Sequence, residues 1–153
     1  TGYHPTYLLL YLAGSQPTEV TAMITNHRLH FIDGEDSAQV LVRFANGSVG
    51  NIVTSWAYEP ASITEKFSVV AEKGYLYSYG SDLFYKVRGG EQQTIELPQI
   101  NTFDAEIADF VTCLREGRRP VNTQVEGINV LKVILGAYQS VAEKRTVVLK
   151  DVE

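Results

Sequence analysis

The chain changes its apolar period once, and this change limits the fold more than any other feature of the sequence. From Pro17 to Leu97, short alternating apolar and polar segments are separated by turn-forming residues such as Asn46-Gly47 and Gly89-Gly90. After Pro98 the apolar residues recur every three or four positions, as they do along one side of an α-helix. Strands at regular spacing followed by helices predict an α+β domain.

The first part of the chain predicts a mostly antiparallel sheet. Its strand candidates are Glu19–Thr25, Ala38–Phe44, Ser48–Tyr58, Lys66–Ala71, Tyr75–Tyr79, Leu83–Arg88 and Gln92–Leu97, with a last one at Thr146–Leu149. Asn46-Gly47 between two of them predicts a type I′ hairpin. We expect about six strands in one open sheet, with helices packed on one face.

Three helices are predicted from their end signals. The first begins at His4-Pro5 and ends at Gly14. The second is capped by Asn101 or Thr102 and ends at Gly117. The third begins with a capping box, Thr123-x-x-Glu126. The third helix carries two neighbouring apolar stripes. We therefore expect it to be buried on more than one side.

Composition removes several classes of function. The 153 residues fit one domain with its own core, and the net charge of −5 comes without a basic stripe for nucleic acid. No apolar run approaches the length of a membrane span. The single cysteine, Cys113, allows neither an intrachain disulfide nor a cysteine-rich zinc site. A cytoplasmic protein without nucleic-acid or membrane partners is expected.

Several segments resemble one oxidoreductase family. FDAEIADFVTCLREGRRPVNTQVEGINVLKVILGAYQSVAEKRTVVL, VLVRFANGSVGNIVTSW and VVAEKGYLYSY are similar, in this order and spacing, to the C-terminal part of the glucose–fructose oxidoreductase, inositol dehydrogenase and rhizopine-catabolism (Gfo/Idh/MocA) enzymes. The resemblance runs from Thr1 to about Leu149. It implies an open-sheet domain like the C-terminal domain of dihydrodipicolinate reductase.

The resemblance also implies a catalytic histidine. Family members carry an Asp-x-Gly-x-His pattern at the head of a helix, and Gly2 and His4 match its third and fifth positions. The aspartate would fall one residue before Thr1. Imidazole suits proton transfer near neutral pH, so His4 is the candidate acid/base. The alternative is a histidine that merely packs or faces water at the start of the helix.

The expected organisation follows from the resemblance. Residues 1–153 would be the C-terminal substrate-binding and oligomerisation domain, without the N-terminal Rossmann domain and its catalytic lysine. No G-x-G-x-x-G loop occurs in the sequence. We therefore expect NAD or NADP to act in the longer protein, hereafter the parent protein, and not to bind this chain.

Two aromatic residues are candidates for substrate binding. Tyr3 lies beside His4, and Trp56 and Tyr58 alternate with Ser55 and Ala57 on one predicted strand. Tyr75, Tyr77 and Tyr79 repeat this spacing on another predicted strand. Tyr3 is equally well explained by packing. Period-two aromatic residues favour a packed or intersubunit sheet face, with sugar stacking by Trp56 as the alternative.

Another pair of histidines raises the question of a metal site. His27 and His30 lie in a polar loop with Asp33, Glu35 and Asp36, and such residues can bind metal. We interpret them as solvated loop residues, and no metal site is expected. The loop could instead lie over the substrate.

The function implied by the resemblance is hydride transfer between a nicotinamide and a secondary alcohol of a sugar, cyclitol or related polyol. The isolated chain is expected to be inactive, and the open sheet face is expected to form a homo-oligomer. One alternative is a non-catalytic module that only assembles. Another is a carbohydrate-binding β-domain with exposed aromatics, which two long apolar helices fit poorly.

Overall fold

Within residues 2–57 and 66–150, which the computed structural model describes, the chain forms three helices and eight strands. Residues 2–57 and 121–150 belong to a first compact unit, and residues 66–120 to a second. The elements are α1 (Tyr3–Ala13), β1 (Pro17–Thr25), β2 (Ser37–Phe44), β3 (Val49–Ser55), β4 (Ser68–Ala71), β5 (Gly74–Tyr79), β6 (Asp82–Val87), β7 (Gln92–Ile95), α2 (Thr102–Glu116), α3 (Gln124–Glu143) and β8 (Val147–Val148).

The strands pair in two sets of four, β3-β2-β1-β8 and β4-β5-β6-β7. Every pairing is antiparallel. In the first unit α3 packs on β1, and α1 packs on β3 and on α3. The α+β class and the antiparallel pairing predicted from the sequence are thereby confirmed. The count differs, since eight strands lie in two sheets where about six were expected in one.

The core of the first unit lies between its sheet and helices α1 and α3. Val20, Val42 and Phe44 point from the sheet into a buried cluster that also contains Val133 of α3. Gly136 brings α3 close to the sheet, because a Cβ at this position would lie 2.8 Å from Cγ1 of Val20. The buried strand residues alternate with exposed ones, as period two requires.

The opposite face of the first sheet is covered by neither of the helices of the first unit, α1 and α3. Met23, Leu41, Val49 and Val53 expose half or more of their surface there, and Met23 reaches 82%. Their strand pairing places them in adjacent rows, with Met23 and Val53 both beside Gln39. This exposed apolar face is the open face expected from the sequence.

The β2–β3 hairpin forms where predicted, but its turn differs. A type I′ turn needs positive φ at both central residues, whereas only Gly47, at 85°, has it. The N–H of Gly47 donates to the carbonyl of Phe44, and the N–H of Phe44 donates to that of Ser48. This is the pattern of a three-residue loop ending in a left-handed glycine. The Asn46 side chain accepts bonds from Ser48 and so favours this loop.

The helix ends follow their sequence signals. Gly14 and Gly117 end α1 and α2 in the left-handed conformation, and Asn101 caps the start of α2. The Thr123 capping box at the start of α3 is present with both of its hydrogen bonds. Helix α1 begins earlier than its proline suggested, at Tyr3. The described part of the chain contains no helix that is long and apolar enough to cross a membrane.

One predicted burial is wrong for the described residues. On α3, Val130 and Val133 are buried, but Leu131 and Leu135 on the neighbouring stripe are exposed. The apolar stripe of α2 is exposed as well, and Phe103 exposes 77% of its surface. Periodicity reports that a stripe is apolar, but not that the same chain covers it.

The second unit contains the four-stranded meander β4 to β7. Tyr77 on β5 stacks on Phe84, its direct partner on β6, with ring centroids 5.2 Å apart. Tyr75 lies 5.9 Å from Tyr77 along the same side. Tyr77 is therefore packed within the sheet, whereas Tyr75 and Tyr79 are exposed. The intersubunit use expected for this series stays a prediction.

Candidate functional site

A cavity of about 330 Å³ lies in the first unit. Its apolar lining comes from the helix-covered side of the sheet and from α3, and includes Ile24, Val40, Ile52, Val133 and Ala137. Its polar and aromatic lining includes Tyr3, Glu35, Asp36, Thr54, Trp56 and Tyr138. A concave apolar surface with a few polar groups is the usual form of a small-molecule site.

Trp56 belongs to the cavity and not to the open sheet face. Ile52 and Thr54 line the same cavity, and Trp56 follows them at period two along β3. Its backbone N–H donates to the carbonyl of Asp36 at 2.7 Å, and the residue is 64% exposed. The prediction that Trp56 lies on an intersubunit sheet face is therefore wrong, because the residue is on the side of the sheet that the helices cover. Tyr58, its predicted neighbour in the stripe, lies outside the described residues.

Tyr3 and His4 lie in the first turn of α1. Tyr3 lines the cavity, whereas His4 is exposed and is not part of the lining. The two rings meet edge to face, with centroids 6.1 Å apart. Tyr3 and Trp56 thus line the same cavity. His4, the residue after Tyr3, does not line it.

A buried carboxylate organises the loop between β1 and β2. One oxygen of Asp36, Oδ2, accepts from the backbone N–H groups of His27, Arg28 and Leu29 at 3.0, 2.6 and 2.9 Å. Its other oxygen accepts from the Ser37 hydroxyl at 2.8 Å. These bonds, led by those from Leu29 and Arg28, hold the pKa of Asp36 well below its usual range. Our interpretation of this loop as solvated is therefore wrong for Asp36.

This bonding makes the first unit sensitive to acid. The low pKa favours the ionised form in the folded state, so its stabilisation is full above the ordinary value of 3.8 and is lost as pH falls from there toward the folded-state pKa. We expect Asp36→Asn to lower Tm by about 5 °C or more at neutral pH, because the amide nitrogen cannot accept hydrogen bonds. Thermal unfolding of both proteins at about pH 7 and about pH 3 measures this. Asp33→Asn, an exposed position in the same loop, is the control, and an equal effect of both would contradict the assignment.

A second carboxylate of this loop faces the cavity. The hydroxyl of Tyr138 on α3 donates to Oε1 of Glu35 at 2.6 Å, joining residues 103 positions apart. This hydrogen bond, with partial burial, raises the pKa of Tyr138. Sequence reasoning missed the pair, since Glu35 looked like a loop carboxylate and Tyr138 like one member of an apolar stripe.

The described residues contain neither a metal-binding cluster nor a parallel dinucleotide-binding unit. Among the described residues, no three His, Cys, Asp or Glu side chains are grouped to hold a metal ion. A dinucleotide-binding unit needs parallel strands and a glycine-rich turn into a helix. Every described strand pair is antiparallel, and Gly89-Gly90 leads from β6 to β7. The described residues therefore do not form a dinucleotide-binding unit of this kind.

Known proteins share both sequence and fold with this chain. Residues 1–77, half of the chain, match the family described as the GFO/IDH/MocA C-terminal domain. The chain is 36% identical over 83 residues to scyllo-inositol 2-dehydrogenase (NADP(+)) IolW of Bacillus subtilis. This match covers 48% of the chain and 22% of that enzyme.

Solved structures extend the similarity to nearly the whole chain. The aldose-aldose oxidoreductase of Caulobacter crescentus, complexed with glycerol, is 26% identical with a TM-score of 0.83, over 97% of this chain and 46% of that one. An oxidoreductase of Agrobacterium radiobacter in complex with NAD+, L-tartaric acid and magnesium shares the fold at 19% identity and a TM-score of 0.82. The match covers 97% of this chain and 47% of that one. The chain thus spans less than half of each. On this evidence the chain belongs to the Gfo/Idh/MocA family of oxidoreductases, in the region of its C-terminal domain.

Proposed function

We propose that residues 1–153 are the C-terminal substrate-binding and oligomerisation domain of an NAD(P)-dependent oxidoreductase. The observation that carries the proposal is the cavity lined by Tyr3 and Trp56, next to His4 at the start of α1. In a family member, a histidine beside a small-molecule cavity suits an acid/base. The Rossmann domain and its lysine would belong to the part of the parent protein outside this chain.

The substrate class is a secondary alcohol of a sugar, cyclitol or related polyol. The Bacillus subtilis relative is a scyllo-inositol dehydrogenase, and the Caulobacter crescentus enzyme is an aldose-aldose oxidoreductase complexed with glycerol. The cavity offers aromatic surface together with hydroxyl and carboxylate groups, which suits a compound with both C–H and O–H groups.

His4 would move the proton of the reaction. A nicotinamide bound to the parent protein outside this chain would supply the hydride acceptor for the alcohol carbon. The imidazole of His4 would take the hydroxyl proton as the alcohol becomes a carbonyl, and would return it in the reverse reaction. Proton transfer by a positioned side chain contributes typically about 10²–10⁴-fold to a rate.

Turnover by the parent protein tests the proposal. We expect the parent protein to reduce NAD+ or NADP+ with at least one member of a panel of inositols, aldoses and glycerol, followed by the absorbance of the reduced nicotinamide. The 153-residue chain alone is expected to show no turnover, because its described strands and helices do not form a dinucleotide-binding unit. A folded parent protein without activity toward the whole panel would contradict the enzymatic proposal and favour the non-catalytic assembly module.

The open face of the first sheet favours self-association as a second role. Met23, Leu41, Val49 and Val53 form an exposed apolar surface beside the Glu19–Arg43 ion pair. Apolar area concentrated on one sheet face is typical of interfaces between subunits. We propose that this face pairs with a second copy of the chain.

Charge substitution on the open face tests the assembly. We expect Leu41→Glu to convert an oligomer to monomers in sedimentation velocity, since a buried unpaired carboxylate costs several kcal/mol. Leu135→Glu is the matched control, because Leu135 is also exposed but lies on α3. A monomeric wild-type protein, or equal dissociation by both substitutions, would contradict the use of this face.

A further inference from the structure

We propose that Glu35 and Tyr138 form a substrate-binding pair that recognises two neighbouring hydroxyl groups of an uncharged polyol in the cavity beside Trp56. The inference rests on the proposed function, since it specifies the substrate class of the same site. It adds two residues, and it separates neutral polyols from phosphorylated or carboxylated sugars.

The two adjacent carboxylates of the loop have different bonding. Both oxygens of Asp36 are occupied by backbone N–H groups and a hydroxyl of the protein itself. Glu35 accepts one bond within the described part of the chain, from Tyr138 through Oε1. Its other oxygen, Oε2, therefore has acceptor capacity for a ligand that enters the cavity.

The charge around the cavity selects the ligand. Its described lining contains the two carboxylates Glu35 and Asp36 and no Lys, Arg or His. Glu35 also forms no ion pair with any described residue. Lining groups that include two carboxylates and no cation disfavour phosphates and carboxylates. Arg28 is not a lining residue, and its guanidinium donates to the carbonyl of Ala57. The cavity favours neutral molecules that donate hydrogen bonds, and a carboxylate can accept two hydroxyl groups at once.

The remaining lining suits the carbon skeleton of such a ligand. Tyr3 and Trp56 offer aromatic rings, and Ile52 offers apolar surface. These groups can contact the C–H faces of a cyclic polyol while its hydroxyl groups reach Glu35. Tyr138, held by its bond to Glu35, orients the carboxylate and has a hydroxyl oxygen that can accept from the ligand.

The only tryptophan of the chain makes binding directly observable. We would follow the indole N–H signal of Trp56 by NMR while titrating the 153-residue chain with myo-inositol and, separately, with inositol monophosphate. We expect a saturable shift with inositol and at least about tenfold weaker binding of the monophosphate.

Variants assign this selectivity to the pair. Glu35→Gln is expected to weaken inositol binding by about 10–100-fold, because it removes a charged acceptor. It is also expected to reduce the difference in affinity between myo-inositol and inositol monophosphate. Tyr138→Phe is expected to give a smaller loss. Glu19→Gln, which removes an exposed carboxylate outside the cavity, is the matched control. Amide spectra of each variant report whether the fold is retained.

The outcomes separate this inference from the proposed function. It is overturned if Trp56 does not respond to inositol, if the monophosphate binds at least as well, or if folded Glu35→Gln binds like the wild type. A parent protein that oxidises a polyol with unchanged KM in Glu35→Gln contradicts the inference alone. Glu35-dependent inositol binding in a parent protein without turnover supports the site and contradicts the enzymatic proposal.

Discussion

Replacing His4 with Ala in the parent protein is expected to lower kcat/KM for its polyol by about 10²–10⁴-fold. The imidazole is exposed in the first turn of α1, beside Tyr3 and next to the cavity lining. Its removal deletes the proposed proton acceptor without opening a core. Steady-state rates of nicotinamide reduction, measured at saturating cofactor over a range of polyol concentrations, give the effect.

The chain contains its own controls for this experiment. His27 and His30 are the other two histidines and are exposed in the loop before β2. Their replacement by Ala should leave kcat/KM within about twofold of the wild-type value, because exposed substitutions of this kind rarely change the stability of the fold. A His4→Ala enzyme with wild-type kcat/KM, or an equal loss in all three variants, would remove His4 from the proposed mechanism.

Phe44→Ala is expected to lower the free energy of unfolding by about 3–5 kcal/mol. Phe44 is 2% exposed and packs with Val20, Val42 and Val133 between the first sheet and α3. The substitution would leave a cavity in this cluster, which neighbouring side chains fill only in part. Equilibrium unfolding in urea, followed by circular dichroism, measures the loss.

The open face of the same sheet supplies the comparison for Phe44. Val53 is 55% exposed, and Val53→Ala should change the free energy of unfolding by no more than about 0.5 kcal/mol in a monomeric sample. A loss below about 1 kcal/mol for Phe44→Ala would show that the core lies elsewhere than in this cluster.

The sequence predicted local structure well, since local structure depends on residues close together in the chain. Gly14 and Gly117 end helices because glycine accepts the left-handed conformation, and Thr123 begins one because its side chain meets Glu126 three residues later. Asn46-Gly47 marked the hairpin correctly. The exact turn type was missed, because only Gly47 of this pair has a positive φ, and the Asn46 side chain accepts from Ser48 in a three-residue loop.

The sequence predicted single residues of the candidate site, but not which of them come together. Tyr3 and Trp56 were recognised as aromatic residues available to a substrate, but period two gives two sides of a strand and does not say which side the helices cover. Helix packing placed Trp56 with Ile52 on the covered side. The role of Asp36 was missed because its carboxylate is buried and accepts from three backbone N–H groups that come together only in the folded loop.

By itself, then, the amino-acid sequence determined the α+β class, the strand and helix positions, the helix ends and the resemblance to a family of oxidoreductases. Only the tertiary structure decided which residues share a cavity, which sheet face stays open and which loop carboxylate is occupied. The Glu35–Tyr138 hydrogen bond shows the reason most clearly. It joins a loop and a helix 103 residues apart, and no local pattern encodes a contact that exists only after α3 has packed on the sheet.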